Sequence, residues 1–158
     1  MDIYGYLQQN FKLITREEYR KCNLPDNTKK ILCDTGLPDQ PLDFIQFNIQ
    51  ELKNIILDKE YIIIGNDFGT YICINNKGSI VSVDPCNEYP ARFINTNLET
   101  LLEFIVTFLL YKDKISKASG NETGQVIHEI RKIFNITDAR ALSNEENWWP
   151  VILEQIGY

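Results

Sequence analysis

Histidine is rare in this sequence and its cysteines are unpaired, which removes most metal chemistry. The chain has one histidine, His128, and four cysteines, none of them in a Cys-x-x-Cys pair. Structural zinc sites use closely spaced cysteine and histidine ligands, and His-Glu-x-x-His sites need two histidines. We expect no resident metal and no cofactor, and we expect reduced thiols at all four cysteines, which are Cys22, Cys33, Cys73 and Cys86.

Cations are also in the minority. Sixteen Lys and Arg residues face 22 Asp and Glu residues, which gives a net charge of −6 and a pI near 4.8. Because nucleic-acid binding requires clustered cations that displace phosphate counterions, this balance argues against a nucleic-acid ligand. It suits a basic protein partner, although acidity alone does not require any partner.

Long apolar runs are missing as well. The most apolar stretch, residues 98–111, contains Glu99 and Glu103, and it is shorter than the roughly 20 apolar residues that a membrane-spanning helix needs. The first residues, MDIYGY, include neither the basic nor the apolar segment of an export signal. These features predict a cytoplasmic protein with no membrane partner.

No catalytic motif is evident. The closest approach to a phosphate-binding loop, Gly65–Gly69, lacks the Walker spacing. Its Asp67-Phe68-Gly69 triplet matches the metal-binding triplet of protein kinases, but a kinase domain is far longer and no catalytic-loop motif precedes the triplet. We therefore expect a protein that is not an enzyme and has no catalytic residues.

The sequence does contain clear strand signals. Three runs rich in β-branched and aromatic residues are separated by turn sequences containing Asn and Gly, which predicts a three-stranded antiparallel meander over residues 61–64, 70–74 and 79–83. Further strands are expected at residues 42–47 and 92–95. With 158 residues and no linker or repeat, the chain is expected to form one α+β domain over residues 1–158, a central antiparallel sheet packed by helices.

Helical periodicity and capping signals place the helices. They are predicted over residues 17–22, 28–35, from 98 into the lysine-containing stretch 112–117, 126–134 and 150–156. Thr15–Glu18 and Thr96–Glu99 have the form of a capping box that begins with threonine. Asn27 is expected to cap the second helix, Gly36 to follow its end in a left-handed conformation, and Pro150 to begin the last helix.

An acidic rim is expected at one end of the meander. The first turn and the end of the third strand lie at the same end of such a sheet, which brings Asp67 and Asp84 together with Glu88 nearby. This rim could bind a cationic partner or a divalent metal. It could equally consist of the solvated Asp and Asn residues that turns ordinarily contain.

Aromatic residues near this rim are candidate contacts for a partner. Phe68 lies at a turn tip between polar residues, and Tyr89 lies in a loop flanked by prolines. Trp148 and Trp149 point in different directions, so at least one is expected to anchor the last helix in the core. The candidate partner-binding residues are therefore Asp67, Phe68, Asp84, Glu88 and Tyr89.

Several motifs follow one another in a recognisable order. They are Gly36-Leu37-Pro38, Phe44 with Phe47, Tyr61–Asp67, Tyr71–Ile74, Gly78–Val81, and Phe93–Leu98 leading to Phe104. Each is a generic turn or core pattern, but their order resembles the SUKH superfamily of bacterial immunity proteins over roughly residues 30–158. The sequence departs from the family pattern in two places, because Thr96-Asn97 replaces a pair of serines and the first 25 residues match no part of it.

The resemblance implies an α+β fold and a cytosolic protein that binds a cognate polymorphic toxin, often a nuclease. The family's pattern residues are mainly structural, so the resemblance transfers no catalytic residue. The leading hypothesis is an immunity protein that occludes the active site of a basic toxin, acting as a monomer or a weak homodimer. The alternatives are a regulatory or protein-binding scaffold of the same fold and, third, an enzyme that holds a divalent metal at the carboxylate rim.

Overall fold

The computed structural model describes residues 2–47, 53–56 and 60–157. Within these residues six strands form one antiparallel sheet: β3 (Gln46–Phe47), β4 (Lys53–Ile56), β5 (Glu60–Asn66), β6 (Tyr71–Ile74), β7 (Ile80–Val83) and β8 (Arg92–Asn95). A two-stranded ladder pairs β1 (Leu13–Ile14) with β2 (Leu37–Pro38). The predicted meander and the strand after it are therefore confirmed, whereas only the last two residues of the strand expected at 42–47 are extended and paired.

Helices account for most of the remaining chain. They are α1 (Ile3–Asn10), α2 (Asp26–Lys30), α3 (Leu98–Lys117), α4 (Asn121–Thr137) and α5 (Trp148–Ile156). α2 continues as one π-helical turn over Ile31–Thr35, and short 3₁₀ helices span Glu17–Lys21 and Ala139–Leu142. Helices and an antiparallel sheet together confirm the predicted α+β class.

The sheet is a meander in which β5, β6, β7 and β8 pair in sequence order, with β3 and β4 sharing the remaining edge of β5. β3 meets that edge at Gly65, where a Cβ atom would lie 2.4 Å from the backbone oxygen of Gln46. Glycine is required there because the two backbones approach too closely for any side chain. At the other edge of the sheet lies β8, which pairs only with β7 among the described strands.

The core lies between the sheet and the helices. α3 is buried around much of its circumference, and its apolar residues form one cluster with the inward side chains of β5 to β8, which include Ile64, Ile72, Ile80 and Ile94. Burial of a helix on several sides explains why its apolar residues exceed a single stripe. The opposite face of the sheet carries a smaller cluster of buried residues, namely Tyr61, Ile63, Cys73, Val81 and Val83.

Aromatic rings fasten α5 to this core. Trp149 is fully buried and makes edge contacts with Phe44, Phe104 and Phe134 at centroid distances of 5.4, 5.5 and 5.1 Å. Such edge-to-face pairs contribute about 0.5–1.5 kcal/mol each beyond area burial. Trp148 is also buried, so both tryptophans anchor the helix, one more than the sequence required.

A buried polar network joins four parts of the chain around Asp138, which follows α4. Its carboxylate accepts hydrogen bonds from Asn95 Nδ2 (3.1 Å), the Thr96 amide (2.7 Å) and hydroxyl (2.7 Å), and the Thr100 hydroxyl (3.1 Å). The Asn95 oxygen in turn accepts a 2.8 Å hydrogen bond from Trp149 Nε1. These hydrogen bonds connect four elements at one place, namely strand β8, the start of α3, the end of α4 and helix α5.

This network explains why one predicted cap is wrong. Thr96 does not cap α3, because its hydroxyl is bonded to Asp138. The N-cap is the next residue, Asn97, which accepts from the Thr100 amide at 2.9 Å and forms a capping box with the Thr100 hydroxyl.

Other predicted helix starts also shift. No side-chain cap precedes the 3₁₀ helix at Glu17. α2 begins at Asp26, so Asn27 lies inside the helix, and its side-chain amide donates to Glu99 on α3. α5 begins at Trp148, which makes Pro150 its third residue. Gly36 does adopt the predicted positive φ, at 93°. Tertiary partners therefore bind the predicted capping side chains at the starts of α2 and α3.

We predict that Asp138→Ala lowers the free energy of unfolding by about 2–4 kcal/mol, because it leaves the buried donor of Asn95 and the half-buried donors of Thr96 without their acceptor. Urea denaturation followed by circular dichroism measures the change. Asp113→Ala is the control, since it removes an exposed carboxylate paired with Lys117 and should change stability by no more than about 0.5 kcal/mol. Equal losses in the two variants would contradict the role given to the network.

Candidate functional site

One end of the sheet gathers the β5–β6 turn and the loop after β7. The register pairs Tyr71 with Val83 and Ile72 with Ser82, which places residues 66–70 beside residues 84–89. A hydrogen bond between the Thr70 and Ser82 hydroxyls links the first segment to β7, which leads into the second. We call these two segments the rim. As expected from the sequence, Asp67 and Asp84 lie at this same end of the sheet.

The carboxylate of Asp67 is occupied within the protein. Its Oδ1 accepts from the amides of Gly69 (3.1 Å) and Thr70 (2.6 Å) and from the Thr70 hydroxyl (3.0 Å). Its Oδ2 accepts a 2.9 Å hydrogen bond from Trp148 Nε1 at the start of α5. Asp67 therefore shapes the turn and ties it to α5, a connection that nothing in the local sequence indicates.

Phe68 occupies the tip of this turn and is 63% exposed. Its φ angle is +70°, and its amide donates to Asn66 Oδ1 at 3.0 Å. The left-handed region is unfavourable by about 1–2 kcal/mol for a residue other than glycine. The turn thus holds a large apolar ring in solvent in a backbone conformation that glycine or asparagine would adopt more easily.

Asp84 organises the second segment of the rim. Its carboxylate accepts from the amides of Cys86 (3.0 Å), Glu88 (2.9 Å) and Tyr89 (3.3 Å). The hydrogen bond from the Cys86 amide is the main reason that the pKa of Asp84 lies below its ordinary value. The folded loop leaves Glu88 exposed and the Tyr89 side chain 71% exposed.

A groove borders this loop. It has a volume of about 680 Å³ and runs between residues 89–93 on one side and residues 144–154 on the other. We call it the β8–α5 groove. Three exposed glutamates line it, Glu145, Glu146 and Glu154. Local sequence at residues 143–146 indicates no groove, because the signal that pairs them with residues 89–93 is a contact between segments more than fifty residues apart.

Groups that could support catalysis are dispersed. Burial raises the pKa of the Cys73 thiol to about 12, and His128 lies exposed on α4. Among residues 2–47, 53–56 and 60–157, no three His, Cys, Asp or Glu side chains are placed to hold a metal ion. Within the same part of the chain, no helix is long and apolar enough to cross a membrane.

Comparison with known proteins identifies one family. A family model described as SUKH-4 immunity protein matches residues 10–155 of the 158. The match confirms the resemblance carried by the ordered motifs, and it extends to most of the first 25 residues, which the motifs left unplaced. No curated protein and no solved structure matches the chain significantly.

The lowered pKa of Asp84 leads to a prediction about acid. A carboxyl whose pKa is lower in the folded state stabilises that state above its unfolded pKa, about 3.9 for aspartate, and the contribution disappears as pH falls through the folded value. We expect the Cys86 and Glu88 amide signals to move with a midpoint below pH 3.9 in an NMR titration.

Asp84→Asn should abolish that titration while the signals of the core strands stay in place. An unchanged titration in the variant would show that another group controls the loop.

Proposed function

The chain belongs to the SUKH-4 immunity protein family, and on that premise we propose that it neutralises a cognate toxin by covering the toxin's active site with the rim. The observation that carries this proposal is the exposure of two aromatic side chains, Phe68 and Tyr89, on segments fixed by internal hydrogen bonds. Aromatic anchors on a rigid surface supply much of the energy of typical protein interfaces and lose little entropy on binding.

Phe68 gives the strongest support. A residue that is both exposed and held at positive φ contributes little to the stability of its own fold. Strained residues of this kind cluster at functional sites, because there the geometry serves a purpose other than stability. In our proposal Phe68 enters a pocket of the toxin.

The remaining rim residues take supporting roles. Tyr89 is the second anchor, and the exposed carboxylate of Glu88 beside it attracts cations. Asp67 and Asp84 act as positioning residues, because their carboxylates hold the two aromatic segments in place. Binding of this kind needs no catalytic group, so the protein acts without being an enzyme.

Charge favours a basic toxin of the nuclease type. A nuclease binds phosphates and therefore carries a cationic substrate groove, whereas this chain has a net charge of −6. Opposite charges accelerate association, and buried anchors slow dissociation. We propose that this occurs in the cytoplasm, where such a toxin meets nucleic acid, and that the protein acts as a monomer or a weak homodimer.

We predict that Phe68→Gly separates binding from folding. Glycine accepts φ of +70° without strain, so the free energy of unfolding should stay constant or rise by up to about 1 kcal/mol. Loss of an anchor ring should weaken toxin binding roughly 30-fold, equivalent to about 2 kcal/mol. The measurement is calorimetric titration with the toxin that co-purifies from the native host.

Ile136→Ala is the matched control, because Ile136 is a large apolar residue that is 87% exposed on α4. Its loss should leave the Kd unchanged. If Phe68→Gly binds like the unmodified protein, the rim is not the contact surface. If no toxin co-purifies even when the neighbouring gene is expressed, the scaffold hypothesis replaces immunity.

A second variant tests whether α5 positions the rim. Trp148→Phe removes the Nε1–H that donates to Asp67 Oδ2, and a ring remains to pack on Phe44. We expect toxin affinity to fall about three- to tenfold, corresponding to the loss of one hydrogen bond, with slower association as the turn samples other conformations. An unchanged association rate would indicate that the Asp67 turn needs no support from α5.

A further inference from the structure

We propose that the β8–α5 groove receives an extended, lysine- or arginine-rich segment of the toxin, which lies along the outer edge of β8. This inference rests on the proposed function and adds a second contact surface beside the rim. Tyr89 belongs to both surfaces, because it ends the Asp84 loop and lines the groove.

The edge of β8 gives the groove its extended shape. β8 pairs with β7 on one side only among the described strands, and residues 89–93 form one wall of the groove. Ala91 and Arg92 on this wall are exposed. A strand edge without a second strand partner presents backbone groups that another chain can pair with, and Arg92 and Phe93 are the β8 residues on this wall.

The opposite wall supplies negative charge. Glu145, Glu146 and Glu154 face a single cation of the lining, Arg92. Glu145 is 3.5 Å from Arg131, whereas Glu146 and Glu154 form no ion pair with any residue that the structure describes. Two unpaired carboxylates opposite a strand edge favour a segment whose side chains are cationic.

The walls of the groove are held by internal contacts. Asn147 Nδ2 donates to the backbone oxygens of Arg140 (3.2 Å) and Ala141 (3.4 Å), and the Glu146 amide donates to Asn144 Oδ1 at 2.9 Å. On the other wall the Phe93 ring lies 4.8 Å from the Arg140 guanidinium. A groove built this way is ordered before binding, which lowers the entropy lost when a segment enters.

The first experiment uses a synthetic octapeptide of alternating lysine and threonine as the probe, titrated into the isotope-labelled protein at low salt. We expect amide shifts concentrated at Ala91, Arg92, Glu145 and Glu146. A peptide with proline in place of threonine keeps the charge but cannot pair as a strand, so it should bind at least about threefold more weakly. Spermidine tests whether any small polycation suffices.

Glu146→Gln/Glu154→Gln should weaken octapeptide binding about three- to tenfold, since each exposed charge contributes up to about 1 kcal/mol. Asp26→Asn/Glu129→Gln is the matched control, because it removes two exposed carboxylates on α2 and α4, outside the groove lining, and should change little. Equal weakening in the two double variants, equal binding of the proline peptide, or equally tight spermidine binding at the same amides would each overturn the inference.

The co-purified toxin then separates the two proposals. If Phe68→Gly weakens toxin binding and Glu146→Gln/Glu154→Gln does not, the groove inference fails and the proposed function stands. If both variants weaken binding, the toxin uses both surfaces. If the unmodified protein binds no toxin at all, the proposed function fails, and the groove loses its proposed partner with it.

Discussion

The carboxylate of Asp138 accepts hydrogen bonds from β8 and from the start of α3, and through Asn95 it is linked to Trp149 of α5. A buried carboxylate is unfavourable unless it is fully satisfied, so this group favours the arrangement in which those segments bring their donors to it. The aromatic cluster around Trp149 fills the space next to the network. The hydrogen bonds to Asp138 determine how these segments are arranged, and burial of the apolar side chains supplies most of the stability.

The position of the candidate site follows from that arrangement. Fixing Trp149 fixes its neighbour Trp148, whose indole nitrogen donates to Asp67, the first residue of the β5–β6 turn. The same helix start carries Asn147 and Glu146 to the wall of the β8–α5 groove. The rim consists of a turn and a loop, and α5 holds its first segment through the hydrogen bond from Trp148 to Asp67. Support from a helix gives such segments the rigidity that favours binding.

At the rim the aspartates have a structural role and the aromatic residues are the exposed groups, a difference that composition alone does not show. Asp67 and Asp84 are the residues that an acidic-surface hypothesis selects first, yet their oxygens accept amide hydrogen bonds from the next few residues. Such Asx-type bonds are the usual reason for aspartate in turns. The side chains that remain exposed at the rim are Phe68, Glu88 and Tyr89. Local sequence had also identified them, the two aromatic residues because polar and proline-rich turns leave apolar rings exposed.

The sequence by itself determined the α+β class, the strands from Tyr61 to Asn95 and the existence of the main helices, because hydrophobic period and turn residues act over a few positions. It also placed Asp67 and Asp84 at one end of the sheet, since successive antiparallel strands of a meander return the chain to the same end. Only tertiary structure decided that Asp138 takes the Thr96 hydroxyl from its predicted cap, that Trp148 bonds to Asp67, and that Glu146 faces Ala91 across a groove. These contacts join residues forty or more positions apart, and side chains so distant in sequence meet only after the core has packed.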